Sequence, residues 1–326
     1  MSSVRRNRWG ALAIAAVLVL GIAACSSDDG DNAGGGGEGA FEQLDLSGID
    51  ITVGSKDFTE QLVLGEMLVL SYEAAGANVT NRVDLGGTEV NRTALLSGEI
   101  DVYAEYNGTG WTVHLGNDTL TARGDADELT RQVTEQDLAD NQIVWLGQSP
   151  FNDTYGFASA PDLLDNGEPF TFDTMAAYLQ ANPDAVVCME SEFPDRPDGL
   201  VLFEEATGYE IPDSQQQILD TGIIYTETEA GNCDFGEVFT TDGRIEGLGL
   251  NLVIDPGVMV LYNVSVTMRE ELFEQSPDAF TTIAEDMLAG LDDETMTRLN
   301  YEVDIEGQTP TDVARQYLVE QGLISS

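Results

Sequence analysis

One lysine stands alone in this sequence. Lys56, in the stretch GSKDFTEQ, is the only lysine among 326 residues, although the chain contains 59 aspartate and glutamate residues. A surface lysine would be replaceable in so acidic a protein, whereas a lysine with a specific contact would not. Because Lys56 directly follows an apolar run typical of a buried strand, we expect a specific contact. An ion pair with Asp57 or Glu60 is the simpler alternative.

The residue types that catalysis needs are sparse. The one histidine, His114 in GWTVHLG, belongs to no nucleophile motif and is expected to be a helix-surface or packing residue. No His, Cys or carboxylate cluster has metal-site spacing, and no GxxxxGK[ST] loop is present to hold a nucleoside triphosphate. The sequence therefore predicts no enzyme, no metal site and no cofactor.

The charge balance excludes one class of partner. The formal net charge is −46, and such a surface repels the phosphates of DNA and RNA. Apolar residues make up 42% of the chain and occur in regular runs, so we expect a folded core rather than a disordered chain. An acidic surface also suits high salt, where screening limits self-repulsion.

The N-terminus has the pattern of a secretory signal. Arg5, Arg6 and Arg8 precede an uncharged segment over 9–24, which is shorter than the roughly 20 apolar residues of a membrane span. It ends in LGIAAC, which resembles a lipobox. We expect residues 1–24 to be removed, Cys25 to carry lipid and residues 25–48 to form a flexible, glycine-rich tether. An ordinary secreted protein with no role for Cys25 is the alternative.

The other two cysteines would then lie outside the cytoplasmic membrane. They are Cys188 and Cys233, and an isolated pair in that compartment usually forms a disulfide. Two buried thiols are the alternative.

Strand and helix patterns alternate from residue 49 onward. Strands are predicted at 49–55, 78–85, 142–147 and from residue 100, with helices at 58–75, 86–99 and 126–140. A second unit has predicted helices at 171–180 and 199–208, strands at 185–191, 222–228 and 233–241, and an extended return at 252–272. Helices at 278–289 and 310–322 end the chain. The alternation predicts an α/β fold with a largely parallel sheet.

The simplest arrangement of these elements is two lobes. We expect 49–153 plus 257–326 to form lobe one and 154–256 to form lobe two, with two crossover segments near residues 153 and 256. Open parallel sheets bind ligands at the carboxyl ends of their strands. A cleft between the lobes is therefore the expected binding site.

Six motifs, in order along the chain, resemble one known family. They are GSKDFTEQ, LGGTEVNRTALLSGEIDVYAEYNGTG, SPFNDTYGFA, SEFPDRPDGL, EVFTTDGRI and VLYNVSV. Together they resemble the substrate-binding proteins of ABC importers for osmoprotectants and quaternary amines, which take up glycine betaine, choline and carnitine. The resemblance runs from about Ile51 to the C-terminus. It implies a two-lobed type II periplasmic-binding-protein fold with the ligand between the lobes.

Recognition of such a ligand follows from its chemistry. A trimethylammonium group has no N–H to donate, so a protein surrounds its diffuse charge with aromatic faces, each worth on the order of 0.5–2 kcal/mol when desolvated. Carried over motif by motif, the resemblance implies an aromatic box of Tyr106, Tyr155, Phe239 and Tyr262. Related proteins usually have tyrosine where this chain has Phe239, which costs one hydroxyl contact. Tyr225 in GIIYTET is a competing fourth wall.

The resemblance also implies partners for a ligand carboxylate. They are Lys56, Thr109 and Arg196, with Glu192 bracing Arg196 or adding negative charge near the cation. The guanidinium fork suits a planar carboxylate, although a surface salt bridge is the simpler role for an arginine among so many acids. Because choline lacks a carboxylate, these cations favour glycine betaine or a similar zwitterion. Thr240, Thr241, Asp242 and Arg244 in TTDGRI are interpreted as structural or supporting residues.

The expected function is capture without chemistry. The lobes would close over the ligand, and the lipid-anchored monomer, on the outer face of the cytoplasmic membrane, would deliver it to an ABC permease driven by a separate ATPase. Alternatives within the fold are a choline-preferring receptor and an amino-acid receptor, in which Glu192 or Asp153 would hold a primary ammonium. An enzyme and a lipoprotein whose cleft has lost its ligand are the alternatives from other classes.

Overall fold

The structure, a computed structural model, describes residues 38–326, which form one compact unit. The predicted signal peptide, Cys25 and the first part of the predicted tether lie outside the described residues. The described part of that tether is not free. Phe41 and Leu46 are completely buried, and the backbone N–H of Phe41 donates to the carbonyl of Leu323 at 2.8 Å. The ordered domain therefore begins before residue 49.

The strands and the longer helices of the described range follow the alternating pattern. The strands are β1 Asp50–Gly54, β2 Asn78–Arg82, β3 Val102–Tyr106, β4 Ile143–Leu146, β5 Tyr155–Ser159, β6 Val187–Met189, β7 Gln216–Ile218, β8 Phe235–Phe239, β9 Asn251–Leu252 and β10 Val264–Arg269. The longer helices are α1 Thr59–Ala74, α2 Thr88–Ser97, α3 Ala126–Asn141, α4 Phe172–Ala181, α5 Leu200–Thr207, α6 Thr221–Glu229, α7 Pro277–Ala289, α8 Asp293–Asp304 and α9 Pro310–Glu320. Short helical segments follow β3 at Asn107–Thr109 and Gly110–His114.

The strands assemble into two five-stranded sheets, in the orders β2-β1-β3-β10-β4 and β7-β6-β8-β5-β9. One strand of each sheet runs against its neighbours, because β10 is antiparallel to β3 and β4, and β5 is antiparallel to β8 and β9. The sheets are thus mixed rather than simply parallel. We call the parts built on the first and second sheets lobe one and lobe two.

The reversed strands are the two places where the chain changes lobes. It leaves lobe one after β4 and enters lobe two at β5, and it returns to lobe one from β9 to β10. An antiparallel strand begins at the edge where its neighbours end. Tyr155, the first residue of β5, therefore lies opposite Phe239, the last residue of β8, and Val264 of β10 lies opposite Tyr106 of β3.

Helix α1 shows how the core supports this edge. Its sequence is apolar on nearly all sides, a pattern typical of a fully buried helix, and it packs against the first sheet and against α9. Leu64, Met67 and Leu68 are completely buried, each stabilising the fold by about 1.5–3 kcal/mol. The first turn of α1 carries Glu60, 3% exposed, so the core fixes this carboxyl group near the edge of the sheet.

The sequence expectations for regular elements were wrong at 222–228 and did not include β5 or β7. Residues 222–228, predicted as a strand from their β-branched and aromatic content, belong to helix α6, whose buried residues Ile224, Tyr225 and Thr228 have helical spacing. The prediction also missed α8, which opens where the Asp292 side chain accepts from the backbone N–H of Thr295. Local β-propensity is weak evidence when tertiary packing selects the face that becomes buried.

Candidate ligand-binding cleft

A cleft of about 710 Å³ lies where the two sheets face each other. Each wall comes from a strand end. Lys56 follows β1, Tyr106 ends β3, Arg196 lies in the loop after β6 and Phe239 ends β8. The arrangement is the usual one for a ligand site in an open α/β sheet.

Five aromatic rings form a closed circuit in this cleft. Going round it, the centroid distances are 6.2 Å for Phe58–Tyr106, 6.2 Å for Tyr106–Tyr262, 5.4 Å for Tyr262–Tyr155, 5.3 Å for Tyr155–Phe239 and 4.8 Å for Phe239–Phe58. All five rings line the cleft. We call this set the five-ring cage. Rings that face one space create a region of negative potential suited to a cation without N–H groups.

A glycine allows two of these rings to meet. At Gly108, an added Cβ would lie 2.2 Å from the carbonyl oxygen of Leu261 and 3.1 Å from the ring of Tyr262. The contact with the Leu261 oxygen is not sterically possible without movement of the backbone, and the contact with the Tyr262 ring would be tight. The close approach brings the loop carrying Tyr106 and Thr109 against the strand carrying Tyr262, so the NGT sequence contributes to the cage through its backbone.

Lys56 lines the cleft, but its charge already has a partner. Its Nζ donates to Oε1 of Glu105 at 2.7 Å, and the two side chains are 4% and 0% exposed. The partner is thus neither Asp57 nor Glu60. The same Nζ lies 5.0 Å from the centroid of the Tyr106 ring. Only one of the three N–H donors of an ammonium group is needed for Glu105, which leaves donors for a ligand.

Glu105 is held by several groups at once. Its carboxylate accepts from the Tyr103 hydroxyl at 2.8 Å and lies 2.9 Å from Nε2 of His114. Burial alone would raise the pKa of Glu105, but the Lys56 charge and the His114 contact outweigh burial and hold that pKa well below its ordinary value. The His114 side chain is 1% exposed. Its predicted packing role fits this position, and the helix-surface alternative was wrong.

Arg196 is likewise paired. Its Nε and Nη2 donate to the two oxygens of Asp198 at 2.8 and 2.9 Å, a bidentate pair. Nη2 also contacts the Thr109 hydroxyl at 3.1 Å and Nη1 contacts the Thr88 hydroxyl at 3.4 Å. Arg196 comes from lobe two, whereas Thr88 and Thr109 come from lobe one. The guanidinium therefore bridges the lobes beside the cage, with its carbon 5.4 Å from the Tyr155 ring centroid.

Glu192 sits at the start of helix α2. Its Oε1 accepts from the backbone N–H of Thr88 at 3.2 Å, and its Oε2 lies 3.5 Å from Nη1 of Arg196. A Cβ at Gly87 would lie 2.4 Å from Oε1 of Glu192, so a larger residue here would displace the end of the Glu192 side chain. Glu192 thus occupies donors that would otherwise be open to an anionic ligand. Counting Glu105, Asp198 and Glu192 against Lys56 and Arg196, this end of the cleft has no excess positive charge.

Two buried carboxyl groups lie behind the cage. Glu60 accepts from the Tyr106 hydroxyl at 2.9 Å, and Asp153 lines the cleft. The Thr241 hydroxyl lies 2.6 Å from Glu60 and 2.7 Å from Asp153. Burial raises the pKa of Glu60 to about 6, and burial followed by the charge of Glu60 raises that of Asp153 well above its ordinary value. The residues of TTDGRI thus support the cage, as expected, although Arg244 itself also lines the cleft.

A second carboxyl pair stands at the lobe-two side of the cleft. Glu190 lines the cleft, and its backbone N–H donates to Oε2 of Glu237 at 3.0 Å. Burial, followed by the charge of Glu190, raises the pKa of Glu237 to about 8. Oε1 of Glu237 is buried and has no hydrogen-bond partner within residues 38–326. In both pairs burial thus favours the protonated form of the carboxyl groups.

The cleft brings together every residue that the sequence assigned to the ligand. They are Lys56, Tyr106, Thr109, Tyr155, Glu192, Arg196, Phe239 and Tyr262. Tyr225, the competing wall, lies instead beneath β8, where the backbone N–H of Phe239 donates to its hydroxyl at 3.0 Å and Arg244 covers its ring at 4.3 Å. Tyr225 therefore supports Phe239 from behind and does not itself line the cleft.

Sequence reasoning missed the fifth ring, Phe58. It stands two residues after Lys56 in a motif already singled out, but it was interpreted only as the start of a helix. The sequence signal for Phe58 was its position just after β1, since side chains that follow a strand ending at the cleft can face the cleft. Glu60, two residues further on, was considered only as an ion-pair partner of Lys56 and not as a support of the cage.

Neither Cys188 nor Cys233 lines the cleft. Cys188 and Cys233 form a disulfide with a Cα–Cα distance of 5.8 Å. Within residues 38–326, no three His, Cys, Asp or Glu side chains are grouped to hold a metal ion. Over the same range, none of the helices has the length and apolar character required to span a membrane.

Comparisons with known proteins agree with this geometry. Residues 49–320 match the family described as the substrate binding domain of ABC-type glycine betaine transport system. The chain is 30% identical over 280 residues to the glycine betaine-binding protein YehZ of Escherichia coli, covering 83% of this chain and 90% of that protein. It is 31% identical over 281 residues to a glycine-betaine-binding protein of Pseudomonas aeruginosa, covering 84% and 88%.

A solved structure shows the same fold. The crystal structure of a glycine betaine/carnitine/choline ABC transporter superposes with a TM-score of 0.66 at 23% identity, covering 84% of this chain and 100% of that one.

Proposed function

The chain belongs to the family of substrate-binding domains of ABC-type glycine betaine importers, and on that premise we propose that it captures glycine betaine or a similar zwitterion. It delivers this ligand to a membrane permease driven by a separate ATPase. The observation that carries the proposal is the five-ring cage, whose rings Phe58, Tyr106, Tyr155, Phe239 and Tyr262 contact one another in a closed circuit. Trimethylammonium is the ligand group that such rings hold best.

The polar end of the ligand would lie toward Arg196. The Thr109 hydroxyl, the backbone N–H of Thr88, the donors of Lys56 that Glu105 does not use and Nη1 of Arg196 surround that part of the cleft. A ligand carboxylate would take these donors in place of Glu192. Since Lys56 and Arg196 are each paired with their own carboxylate, selection of a betaine would come from directed hydrogen bonds rather than from net positive charge.

A choline-preferring receptor is the second candidate. The position of Glu192 favours it, because a carboxylate that already occupies the α2 donors leaves less for a ligand anion and attracts a cation. Glu105 also neutralises Lys56, so the charge of that lysine does little to repel choline.

We propose that capture proceeds by closure of the lobes. Lobe one comprises 49–153 plus 257–326, and lobe two comprises 154–256. Besides Arg196, two contacts beside the cage bridge them: Thr112 donates to Asp198 at 2.6 Å and Thr241 to Glu60 at 2.6 Å. A ligand that touches both walls favours the closed state by its additional contacts.

The remaining parts of the proposal concern location. Residues 1–24 are a signal peptide, and Cys25 is the lipidated residue that tethers a monomer to the outer face of the cytoplasmic membrane. The protein carries out no chemical step on its ligand.

Isothermal titration of the soluble chain starting at Ser26 tests the proposed function. Glycine betaine, carnitine, choline and glycine are titrated in turn, and glycine, whose primary ammonium needs hydrogen-bond acceptors, should give no heat. Tight binding of glycine betaine supports the proposal, whereas choline binding more tightly supports the second candidate. Absence of heat with every quaternary amine overturns both.

A variant identifies the polar end. Thr109→Val keeps the side-chain shape but removes the hydroxyl, so it should weaken glycine betaine by about 3- to 30-fold, the cost of one lost hydrogen bond, and leave choline nearly unchanged. Thr134→Val, in which the lost hydroxyl bonds only to the Thr130 carbonyl of its own helix, is the matched control.

A further inference from the structure

The two carboxyl groups behind the five-ring cage have no cationic partner. Glu60 and Asp153 are 3% and 4% exposed, and neither forms an ion pair in the part of the chain that the structure describes. The nearby arginine, Arg244, is already paired with Asp242 at 2.5 Å and lies 3.5 Å from Asp304. A buried carboxylate without a counter-charge is costly, so some positive species must offset this pair.

The placement of Glu60 and Asp153 around the Thr241 hydroxyl requires a proton on one of the two carboxyl groups. The Thr241 hydroxyl lies 2.6 Å from Oε2 of Glu60 and 2.7 Å from Oδ1 of Asp153. A hydroxyl has one proton to donate, so it serves one of these two short contacts. The other contact then needs a proton on the carboxyl group, which donates to the threonine oxygen. The pair in this arrangement therefore holds one proton between its two members.

The remaining groups around the pair are neutral donors or further acids. Tyr106 donates from β3 to Glu60, Asn300 donates from α8 to Glu60 at 3.2 Å, and the backbone N–H of Thr241 donates to Asp153 at 3.2 Å. Asp242 adds a negative charge nearby. Asp153 itself lines the cleft, and a small void bounded by Phe58 and Phe239 adjoins both carboxyl groups. The pair is therefore close to the rings of the cage.

We propose that Glu60 and Asp153 are the counter-charge of the cage, and that a quaternary ammonium ligand replaces the proton they share. The inference rests on the proposed function, since it concerns the same cleft. When the cation enters, the O–H bond of the protonated carboxyl group breaks and the proton passes to a buffer base. One positive charge enters the site as another leaves.

The exchange also strengthens the cage. Tyr106 donates its hydroxyl proton to Glu60, and a fully ionised Glu60 draws that proton more strongly, which enriches the electron density of a ring that faces the ligand. The pair thus adds a long-range attraction that distinguishes a cation from a neutral group of the same shape. Burial raises the pKa of Glu60 to about 6, and burial followed by the charge of Glu60 raises the pKa of Asp153 well above its ordinary value, so the extent of the exchange should depend on pH.

Proton release is the measurement that tests this inference. The chain from Ser26 is titrated with glycine betaine between about pH 5 and pH 8.5, in pairs of buffers that differ in ionisation enthalpy. We expect a release of up to one proton per ligand, together with an affinity that rises with pH by up to about tenfold per pH unit. Binding of glycine betaine without proton release at any pH overturns the inference and leaves the proposed function intact. Failure of wild-type protein to bind any quaternary amine overturns the proposed function and this inference with it.

Variants assign the proton to this pair. Glu60→Gln and Asp153→Asn each remove one member, and either should abolish most of the release. Having two variants guards against one failing to fold, which a circular dichroism spectrum detects. Glu237→Gln is the control, because Glu237 is a buried carboxyl group with a raised pKa on the lobe-two side, where it pairs with Glu190. Release that persists in both test variants, or is lost in Glu237→Gln alone, contradicts the assignment.

The carbon analogue of glycine betaine provides a test without mutation. In 3,3-dimethylbutanoate a carbon replaces the nitrogen, so the shape and carboxylate remain while the positive charge is absent. It should bind at least tenfold more weakly than glycine betaine at pH 8, without proton release. Equal affinity and equal release for the two ligands would refute the inference.

Discussion

Replacing Phe58 by leucine tests the ring that the sequence did not reveal. Phe58 closes the circuit between Tyr106 and Phe239, at centroid distances of 6.2 and 4.8 Å. Leucine keeps an apolar side chain in the same place but removes the π face. A desolvated ring contributes roughly 1–2 kcal/mol to binding a cation. The affinity for glycine betaine should therefore fall by about 5- to 30-fold, since each 1.4 kcal/mol is about a factor of ten.

The assay is calorimetric titration of wild type and variant with glycine betaine and with 3,3-dimethylbutanoate. The neutral analogue should lose less than about threefold, because leucine preserves the apolar contact and the analogue has no cation–π term to lose. Phe280→Leu is the matched control, since Phe280 is completely buried against Tyr72 in the core of lobe one and does not line the cleft. A variant within twofold of wild type, or an equal loss for both ligands, would refute the role of Phe58 as a wall of the cage.

Three further predictions concern other parts of the structure. Arg196→Lys loses the guanidinium fork that holds Asp198 and spans the lobes. Titration should show glycine betaine binding at least tenfold more weakly, with a smaller change for choline. Equal losses for the two ligands would contradict a contact between Arg196 and the ligand carboxylate. The fold raises the pKa of Glu237 to about 8, so this group holds its proton in the folded protein at pH values where it loses the proton in the unfolded chain. Glu237 should therefore make the free energy of unfolding fall as pH rises from about 5 to 8, by at most about 1.4 kcal/mol per pH unit. Urea denaturation should show a shallower fall in Glu237→Gln, and an unchanged slope would contradict the assignment. Replacing Cys188 and Cys233 by alanine removes a disulfide that joins residues 45 positions apart. The variant should lose about 2–4 kcal/mol of unfolding free energy and keep its affinity for the ligand. A variant as stable as wild type would show that the disulfide does not constrain the unfolded chain.

Four rings of the cage could be named from the sequence through the family resemblance, whereas strand prediction alone placed only Tyr106 and Phe239 near strand ends and did not predict the strand that begins at Tyr155. Tyr106, Tyr155 and Phe239 each terminate or begin an apolar run, and such positions converge at one edge of an α/β sheet. What the sequence did not contain was the direction of β5 and β10. Their reversal is what places Tyr155 against Phe239, and no local pattern distinguishes an antiparallel strand entering from the other lobe.

The charge state of the site was not predictable, because the partners are distant in sequence. Lys56 and Glu105 are 49 residues apart, and the hydrogen bond between Arg196 and Thr109 spans 87. The sequence presented Lys56 as an exceptional cation in an acidic chain, which suggested a free positive charge for a ligand. The fold instead pairs it with Glu105, whose carboxylate also contacts Tyr103 and His114. Pairing of buried charges is decided by tertiary packing, which a residue count does not contain.

The same limit explains the error at 222–228. Ile223, Ile224 and Tyr225 favour a strand by local propensity, yet the segment forms α6, which covers β8 and holds the Tyr225 hydroxyl against the backbone of Phe239. A segment of nine residues carries too little periodicity to separate the two states. Its helical form matters for the site, since it removes Tyr225 from the wall and makes it a support for Phe239.

A crystal structure of the complex with glycine betaine is the most direct test of the central claim, which is that the five-ring cage holds a trimethylammonium group. The nitrogen should lie within about 6 Å of the centroids of Phe58, Tyr106, Tyr155, Phe239 and Tyr262, with the carboxylate against Thr109 and Arg196. A ligand whose carboxylate enters the cage, or whose nitrogen lies outside it, would contradict the account.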